Sequence, residues 1–318
     1  MSATTAMPAE KLDGSQIPWN KHKMQSKGVG DWIVDVIMWI IIALVVIAVI
    51  YPLWFIVIAS FSNPQMVSSG EVTLLPKGIT TAGYQRVFAD DRIWQGYLNT
   101  IIYSVVGTAV NLIVTIPAAF ALSRKDLWGR RVIMFLFTFT MYFAGGMIPN
   151  YLLFKDLGLL NSMWVFILPT AVSVWNLIIA RSFFDTSIPE DLHDAAQIDG
   201  IGYFGYFMKI VLPLSSAIIA VLALYYFVGH WNDYFTGLIY VNKEEKYPLQ
   251  NVLQSILLGA QTAATGSTGS GVSAVAQQQI ADQIKYGVII VSTLPLLILY
   301  PFLQKYFNKG VMIGAVKG

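Results

Sequence analysis

The chain has 318 residues, of which 56% are hydrophobic and only 12% charged, and its formal net charge is +2. Soluble globular proteins contain about 25% charged residues, so this composition indicates an integral membrane protein. The small net charge argues against a nucleic-acid partner, and the absence of cysteine excludes disulfides and thiolate metal sites.

The predicted elements begin with a tail over residues 1–30, which mixes Pro, Gly, Ser, Lys and Gln without apolar periodicity. A helix that crosses a membrane needs about 20 mostly apolar residues. Six later stretches meet this requirement, namely residues 36–61, 98–123, 132–153, 164–180, 210–229 and 286–303. The sequence therefore predicts an all-α membrane protein, with a flexible tail followed by a single six-span domain over residues 31–318.

Charged residues in the loops indicate how these spans are oriented. Six spans place both termini on the same side of the membrane. Lysine and arginine are more numerous in the terminal segments, the second-to-third loop and the fourth-to-fifth loop than in the remaining loops. Because these residues concentrate on the cytoplasmic side, we expect both termini and the fourth-to-fifth loop to be cytoplasmic.

The fourth-to-fifth loop contains the polar stretch SIPEDLHDAAQIDGIGYFG, residues 187–205. Ser187 and Glu190 have the spacing of a capping box, which predicts a short helix over residues 188–198. Gly200 is then expected to adopt the left-handed backbone that ends many helices. Four residues of this helix are predicted to face the cytoplasm: Leu192, Ala195, Ala196 and Asp199.

Two interpretations of this stretch follow from the residues alone. Small alanines allow another surface to approach closely, and Asp194 and Asp199 offer acceptors to arginines or backbone amides of a partner. The same residues also suit an ordinary solvated loop between two spans. The spacing of the whole segment favours the first interpretation.

That spacing resembles the EAA loop in the permease subunits of binding-protein-dependent ABC importers. The family pattern is Glu-Ala-Ala, two residues, Asp-Gly, and then an aromatic residue, an aliphatic residue and Leu-Pro at set distances. The matching residues here are Ala195, Ala196, Asp199, Gly200, Phe207, Ile210, Leu212 and Pro213. Two positions differ, because Asp194 replaces the leading glutamate and Ala217 stands where many members have a second proline.

Three other segments extend the resemblance to residues 31–318. They are FAGGMIPNYLL (143–153), HWNDY (230–234) and YPFLQKYFNKGVMIGAVKG (300–318). These segments resemble the maltose-type carbohydrate-uptake permeases, and most of all the second permease of each pair. The resemblance implies the type I ABC importer permease fold and uptake of an oligosaccharide or a polysaccharide fragment across a bacterial inner membrane.

The resemblance also implies a mechanism and partners. Residues 186–206 would form a coupling loop that docks in a groove of a cytoplasmic ATPase. Its coupling residues would be Glu190, Leu192, Asp194, Ala195, Ala196, Asp199 and Gly200. The implied partners are a second homologous permease, two ATPase subunits that bind ATP and Mg²⁺, and an extracellular solute-binding protein that delivers the carbohydrate.

No Gly-x-x-x-x-Gly-Lys phosphate-binding motif occurs in the chain. We therefore expect a non-catalytic subunit that binds no cofactor of its own. His22, His193 and His230 are too far apart in sequence to predict a metal site.

A path for sugar requires aromatic faces beside polar side chains that pair with hydroxyl groups. Six candidates combine these properties: Trp175, Asn176, Tyr225, Tyr226, Trp231 and Asn232. Further candidates of the same kind are Asn99, Asn111, Tyr142, Asn150, Ser173 and Asp233. Each also has a structural interpretation, because aromatic residues anchor span ends and polar ones join helices by hydrogen bonds.

Two alternative functions remain open. An ion-coupled secondary transporter usually needs ionisable side chains at membrane depth, and the six predicted spans contain none. An ABC permease for amino acids, peptides or phosphate would share the EAA loop. The segments 230–234 and 300–318 favour a carbohydrate over these solutes.

Overall fold

The computed structural model describes residues 29–266, 284–298 and 301, and all regular secondary structure in these residues is helical. The first helices are α1 (Val29–Ser60), α2 (Pro64–Ser68), α3 (Ala82–Phe88), α4 (Asp91–Ser123), α5 (Arg130–Tyr142), α6 (Met147–Asp156), α7 (Trp164–Ile167) and α8 (Val174–Ser187). They are followed by α9 (Glu190–Ile198), α10 (Tyr203–Tyr206), α11 (Leu212–Leu214), α12 (Ser216–Trp231), α13 (Phe235–Tyr240), α14 (Leu249–Gly266) and α15 (Ile284–Ile298).

The predicted all-α class is thus confirmed for the described residues. A π-helical turn, Phe207–Val211, joins α10 to α11, and a 3₁₀ turn, Glu244–Lys246, precedes α14. Nearly all of the predicted tail, residues 1–28, and the end of the predicted sixth span, residues 299–300 and 302–303, lie outside the described residues.

The chain divides into two units, Met1–Trp54 and Phe55–Gly318. The described part of the first unit is most of α1, whose apolar side chains are exposed. A helix of 32 residues is about 48 Å long, which exceeds the roughly 30 Å of hydrocarbon in a bilayer. The second unit contains every other helix.

Two of the described helices are individually long and apolar enough to cross a membrane, Gly30–Ser60 and Asp91–Ser123. Two helix pairs pass the same test only together. Arg130–Tyr142 and Met147–Asp156 meet at a bend of 112°, and Tyr203–Leu214 and Ser216–Trp231 meet at one of 79°. By length and composition the described residues therefore hold two spans, or up to four, and the predicted number of six stays a prediction.

Glycine and proline cause the interruptions of the predicted third and fourth spans. Gly146, between α5 and α6, has φ +89°, a left-handed value that glycine adopts most readily. Pro169 follows α7 and lacks the N–H that a continuing helix needs. The predicted span over 164–180 is therefore two helices separated by an irregular segment, residues 168–173.

The predicted fifth span is also irregular at its start. Pro213 cannot donate a backbone hydrogen bond to the preceding turn, and the chain there changes from a π-helical turn to α11 and then bends. At the bend, the Ser215 hydroxyl donates to the Val211 carbonyl over 2.7 Å. The Ser215 side chain therefore supplies a hydrogen bond to the Val211 carbonyl next to the break.

Helix α4 is the centre of the second unit and packs against α8, α12 and α14. Towards its C-terminal end it contributes Phe120 to a buried apolar cluster with residues of α8, the π-helical turn and α12. Towards its N-terminal end it contributes Ile93 to another cluster, which includes Trp231 and Leu249. Helix α4 therefore contributes residues to both of these buried clusters.

Candidate functional site

Helix α9 begins at Glu190, with Pro189 at its N-cap and no side-chain capping bond. Ser187 is the last residue of α8, so the predicted capping box is wrong. The reason is local: a residue before proline is pushed out of the helical region, and Ile188 has φ −108° and ψ 101°. The carboxylates of Glu190 and Asp191 lie instead in the first turn of α9. There their negative charge interacts favourably with the positive end of the helix dipole.

The end of α9 is a Schellman motif, as Gly200 predicts. Gly200 has φ +72°, its N–H donates to the Gln197 carbonyl over 3.0 Å, and the Ile201 N–H donates to the Ala196 carbonyl over 2.8 Å. A Cβ added to Gly200 would meet no atom within 4 Å. The requirement for glycine is therefore conformational, because a left-handed backbone is strained for other residues.

The outer face of α9 is exposed, as predicted for three of its four residues: Leu192, Ala195 and Asp199. The prediction for Ala196 is wrong, because this residue is 2% exposed and packs into the apolar cluster beneath the helix. Ile198 was not predicted, yet it is 88% exposed. It lies three residues after Ala195, a helical spacing that could have placed it on the same face.

The inner face of α9 contacts aromatic rings. The His193 ring lies 4.8 Å from the Tyr203 ring and 5.2 Å from the Tyr206 ring, measured between centroids. The Tyr203 hydroxyl donates to Asp126, in the segment between α4 and α5. This hydrogen bond lowers the pKa of Asp126 below its ordinary value, so the carboxylate stays ionised as an acceptor.

An ion pair also connects α9 to the end of α4. Glu190 lies 3.0 Å from the Lys125 ammonium and 3.8 Å from the Arg124 guanidinium. The Arg181 guanidinium donates to the Leu122 carbonyl over 3.0 Å, which places a cation at the negative end of the α4 dipole. Because Lys125 and Glu190 are largely exposed, such a pair contributes only about 0–1 kcal/mol of stability.

Beneath these polar contacts, aromatic packing joins the loop to α4. The Phe120 ring lies 5.0 Å from Phe207, 5.9 Å from Phe184 and 6.1 Å from Tyr206. Protein interiors are close-packed, and these rings join α8, α10 and the π-helical turn directly to α4.

A polar cavity of about 340 Å³ lies between α8, α12 and the segment before α13. It is lined by Thr170, Ser173, Asn176, Tyr225, Tyr226, Gly229, His230, Asp233 and Thr236. The structure thus brings together five of the predicted sugar-path candidates: Ser173, Asn176, Tyr225, Tyr226 and Asp233.

Seven other candidates lie elsewhere. Asn99 is buried and donates to the Glu245 and Tyr247 carbonyls, while Tyr142 and Asn150 are exposed and do not line the cavity. Trp175 is 61% exposed and does not line the cavity, and Trp231 is 2% exposed, with its indole N–H donating to the Ser292 carbonyl. The Asn232 side chain donates to the Val228 carbonyl of its own helix. Asn111 is completely buried and joins helices. For these residues the structural interpretation fits better.

Two hydrogen-bond chains fix the cavity wall to α4. Thr115 and the Tyr226 hydroxyl lie 2.7 Å apart, and the Ser173 N–H donates to the same hydroxyl over 3.1 Å. Asn111 bonds the His230 ring over 2.7 Å and donates to the Thr170 carbonyl over 2.5 Å. The second chain explains how the irregular segment between α7 and α8 is held in place.

Four further residues line the cavity although the sequence did not indicate them: Thr170, Gly229, His230 and Thr236. His230 begins the segment HWNDY and follows a predicted span, which would have been a usable signal. Within the described residues, no group of three or more His, Cys, Asp or Glu side chains suits a metal ion.

Residues 93–313, which include α9 and the cavity, match the family described as "Binding-protein-dependent transport system inner membrane component". The polygalacturonan/rhamnogalacturonan transport system permease protein YtcP of Bacillus subtilis (strain 168) is 41% identical over 269 residues, 85% of this chain and 93% of that protein. Protein LplC of the same organism is 42% identical over 270 residues, 85% of this chain and 90% of LplC.

A solved structure has a similar fold. It is the crystal structure of a bacterial ABC transporter involved in the import of the acidic polysaccharide alginate. The matching chain is 32% identical with a TM-score of 0.77, and the match covers 88% of this chain and 98% of that one.

Proposed function

We propose, from the premise that this chain belongs to the binding-protein-dependent transport system inner membrane component family, that it is the permease subunit of an ATP-driven ABC importer for a carbohydrate. The names of YtcP and of the alginate transporter both refer to polysaccharide uptake. The matching chain of that transporter and this chain share the type I ABC permease fold.

The observation that carries the proposal is that α4 contacts both candidate sites. Asn111 and Thr115, in the middle of α4, bond the wall of the polar cavity. Phe120, near its end, packs against the rings that support α9. A single helix thus links a cavity suited to cargo with an exposed helix suited to a partner.

In this proposal α9 is the coupling helix and docks in a groove of a cytoplasmic ATPase. The exposed positions available for contact are Glu190, Leu192, Asp194, Ala195, Ile198, Asp199 and Gly200. Ala196 takes a different role, because its methyl group is buried and seats the helix on the cluster below. Close approach by the partner is favoured by the small side chain of Ala195.

The rest of the assembly completes the proposal. Six spans place both termini in the cytoplasm, and residues 1–30 form a tail outside the permease domain. A second homologous permease completes the pathway, two ATPase subunits bind ATP and Mg²⁺, and an extracellular solute-binding protein delivers the saccharide. The polar cavity, with Asn176, Tyr225 and Tyr226 in its wall, lies on the path of the cargo.

The test is uptake by the complete importer in proteoliposomes. The chain is purified with its permease and ATPase partners, and labelled oligogalacturonates and neutral oligosaccharides are supplied with the binding protein. We expect ATP-dependent accumulation of at least one saccharide, and none when the ATPase subunits are omitted. Accumulation of amino acids or phosphate without any saccharide would contradict the proposal.

A further inference from the structure

His230 is a buried side chain of the cavity wall, 8% exposed. Asn111 donates through its Nδ2 to the Thr170 carbonyl, so the Asn111 Oδ1 that faces His230 is an acceptor. The Nε2 of His230, 2.7 Å from that oxygen, is therefore the donor. A neutral imidazole in this arrangement carries its proton on Nε2 and keeps Nδ1 as an acceptor.

Gly107 on α4 provides the space for this ring. A Cβ added to Gly107 would lie 2.5 Å from the His230 Nε2 and 2.7 Å from its Cε1. No side chain larger than that of glycine fits there without displacing the imidazole. The position of the ring, and with it the Nδ1 acceptor, is thus set by the backbone of α4.

The formal charge of the side chains that line the cavity is of one sign, negative. Among its lining residues Asp233 is the one carboxylate, and neither lysine nor arginine is present. One oxygen of Asp233 accepts the Thr236 N–H over 3.1 Å. That bond leaves the second carboxylate oxygen of Asp233 as an acceptor.

A wall with one carboxylate and no lysine or arginine suits uncharged hydroxyl groups and repels anions. A saccharide carboxylate placed here would meet Asp233 without a compensating charge, and such juxtaposition of like charges is strongly unfavourable. Hydroxyl groups, in contrast, can donate to this carboxylate. We infer that this cavity binds an uncharged, hydroxyl-bearing part of the saccharide and excludes a uronate carboxylate, an inference that rests on the proposed function.

The inference matters because two similar proteins are named for the transport of polysaccharides. The alginate transporter is described as importing an acidic polysaccharide, and polygalacturonan is acidic as well. If the cargo of this importer carries carboxylates, they are recognised outside this cavity, while the cavity accommodates neutral hydroxyl faces.

The experiment measures equilibrium binding of two matched probes, digalacturonate and its dimethyl ester, to the purified importer complex without the binding protein. The ester has the same hydroxyl pattern but no charge. We expect the ester to bind about tenfold more tightly than the acid, since repulsion by Asp233 acts only on the acid. Asp233→Asn should bring the two affinities within about twofold, and an asparagine can still accept the Thr236 N–H.

Asp156→Asn is the control, because it removes an exposed carboxylate that does not line the cavity. It should leave the tenfold preference unchanged. The inference is overturned if the acid binds as tightly as the ester, or if Asp233→Asn leaves the ratio unchanged. It is also overturned if neither probe binds while the complex still imports a saccharide in proteoliposomes, an outcome that leaves the proposed function standing. If the complex imports no saccharide at all, both the proposed function and this inference fail.

Discussion

The α9 loop and the polar cavity are stabilised by different kinds of contact. Around α9 the polar contacts are largely exposed, as in the pair between Glu190 and Lys125. Around the cavity they are buried, as in the bonds of Asn111 and Thr115 to α12. Buried hydrogen bonds leave unsatisfied groups when they are broken, whereas exposed pairs exchange with water. The cavity is therefore the rigid region, and the loop is the region whose surface is available to a partner.

The sharpest test of this difference is Gly107→Ala on α4, behind the His230 ring of the cavity wall. The new Cβ would overlap the His230 ring, and overpacking a filled interior costs about 1–3 kcal/mol. We expect a lower melting temperature of the purified complex and loss of saccharide binding. Gly259→Ala is the control, since a Cβ on this exposed glycine of α14 would meet no atom within 4 Å. Equal melting temperatures for the two variants would contradict a rigid, glycine-dependent wall.

A smaller loss of stability is expected for Gly200→Val at the end of α9. A left-handed backbone costs a residue with a Cβ about 1–2 kcal/mol, which should misdirect α9 while the buried clusters remain. Transport should be lost, and ATP hydrolysis should no longer respond to the loaded binding protein. Gly202 has φ −70°, so Gly202→Ala should transport normally. If Gly200→Val transports like the parent, α9 is a connector and the coupling proposal fails.

The smallest effect is expected for Tyr203→Phe, which removes the donor to Asp126. The folded pKa of Asp126 is lowered, so its contribution is present at neutral pH and is lost only as the pH falls through the folded value. Without the donor the pKa should rise towards about 3.9, the ordinary value for aspartate. NMR titration of the labelled carboxyl measures this shift.

The control is Tyr206→Phe, because the Tyr206 hydroxyl is buried and makes no hydrogen bond to Asp126. It should leave the pKa of Asp126 unchanged. If the Asp126 carboxyl has the same pKa in the parent and in Tyr203→Phe, the hydrogen bond between Tyr203 and Asp126 does not form.

The loop could be predicted in detail because its determinants are local. Gly200 lies directly after the helix that it ends, and the helix itself lies within two residues of its predicted bounds. The capping box failed for an equally local reason, since Pro189 forces Ile188 out of the helical region. A stricter use of the proline rule would have placed the start at Glu190.

The cavity could be predicted only in part because its determinants are distant in sequence. Residue type was enough to select Asn176 and Tyr225, which line it. It did not exclude Trp231, because the partner of its indole lies 61 residues away. His230 and Asn111 meet across 119 residues, and no periodicity in either segment indicates that they pair.

The close approach of Gly107 and His230 also has a kinematic consequence. The His230 imidazole packs directly against the backbone of α4 at Gly107. A rotation of α12 about its own axis would therefore have to break this contact. We therefore expect the two helices to move together as long as this contact is kept. The nearest joint is the 79° bend next to Ser215, where the segment from α9 to α11 meets α12. We therefore expect a lever between the α9 loop and the cavity to pivot at that bend, while the hydrogen bonds that join α12 to α4 are kept.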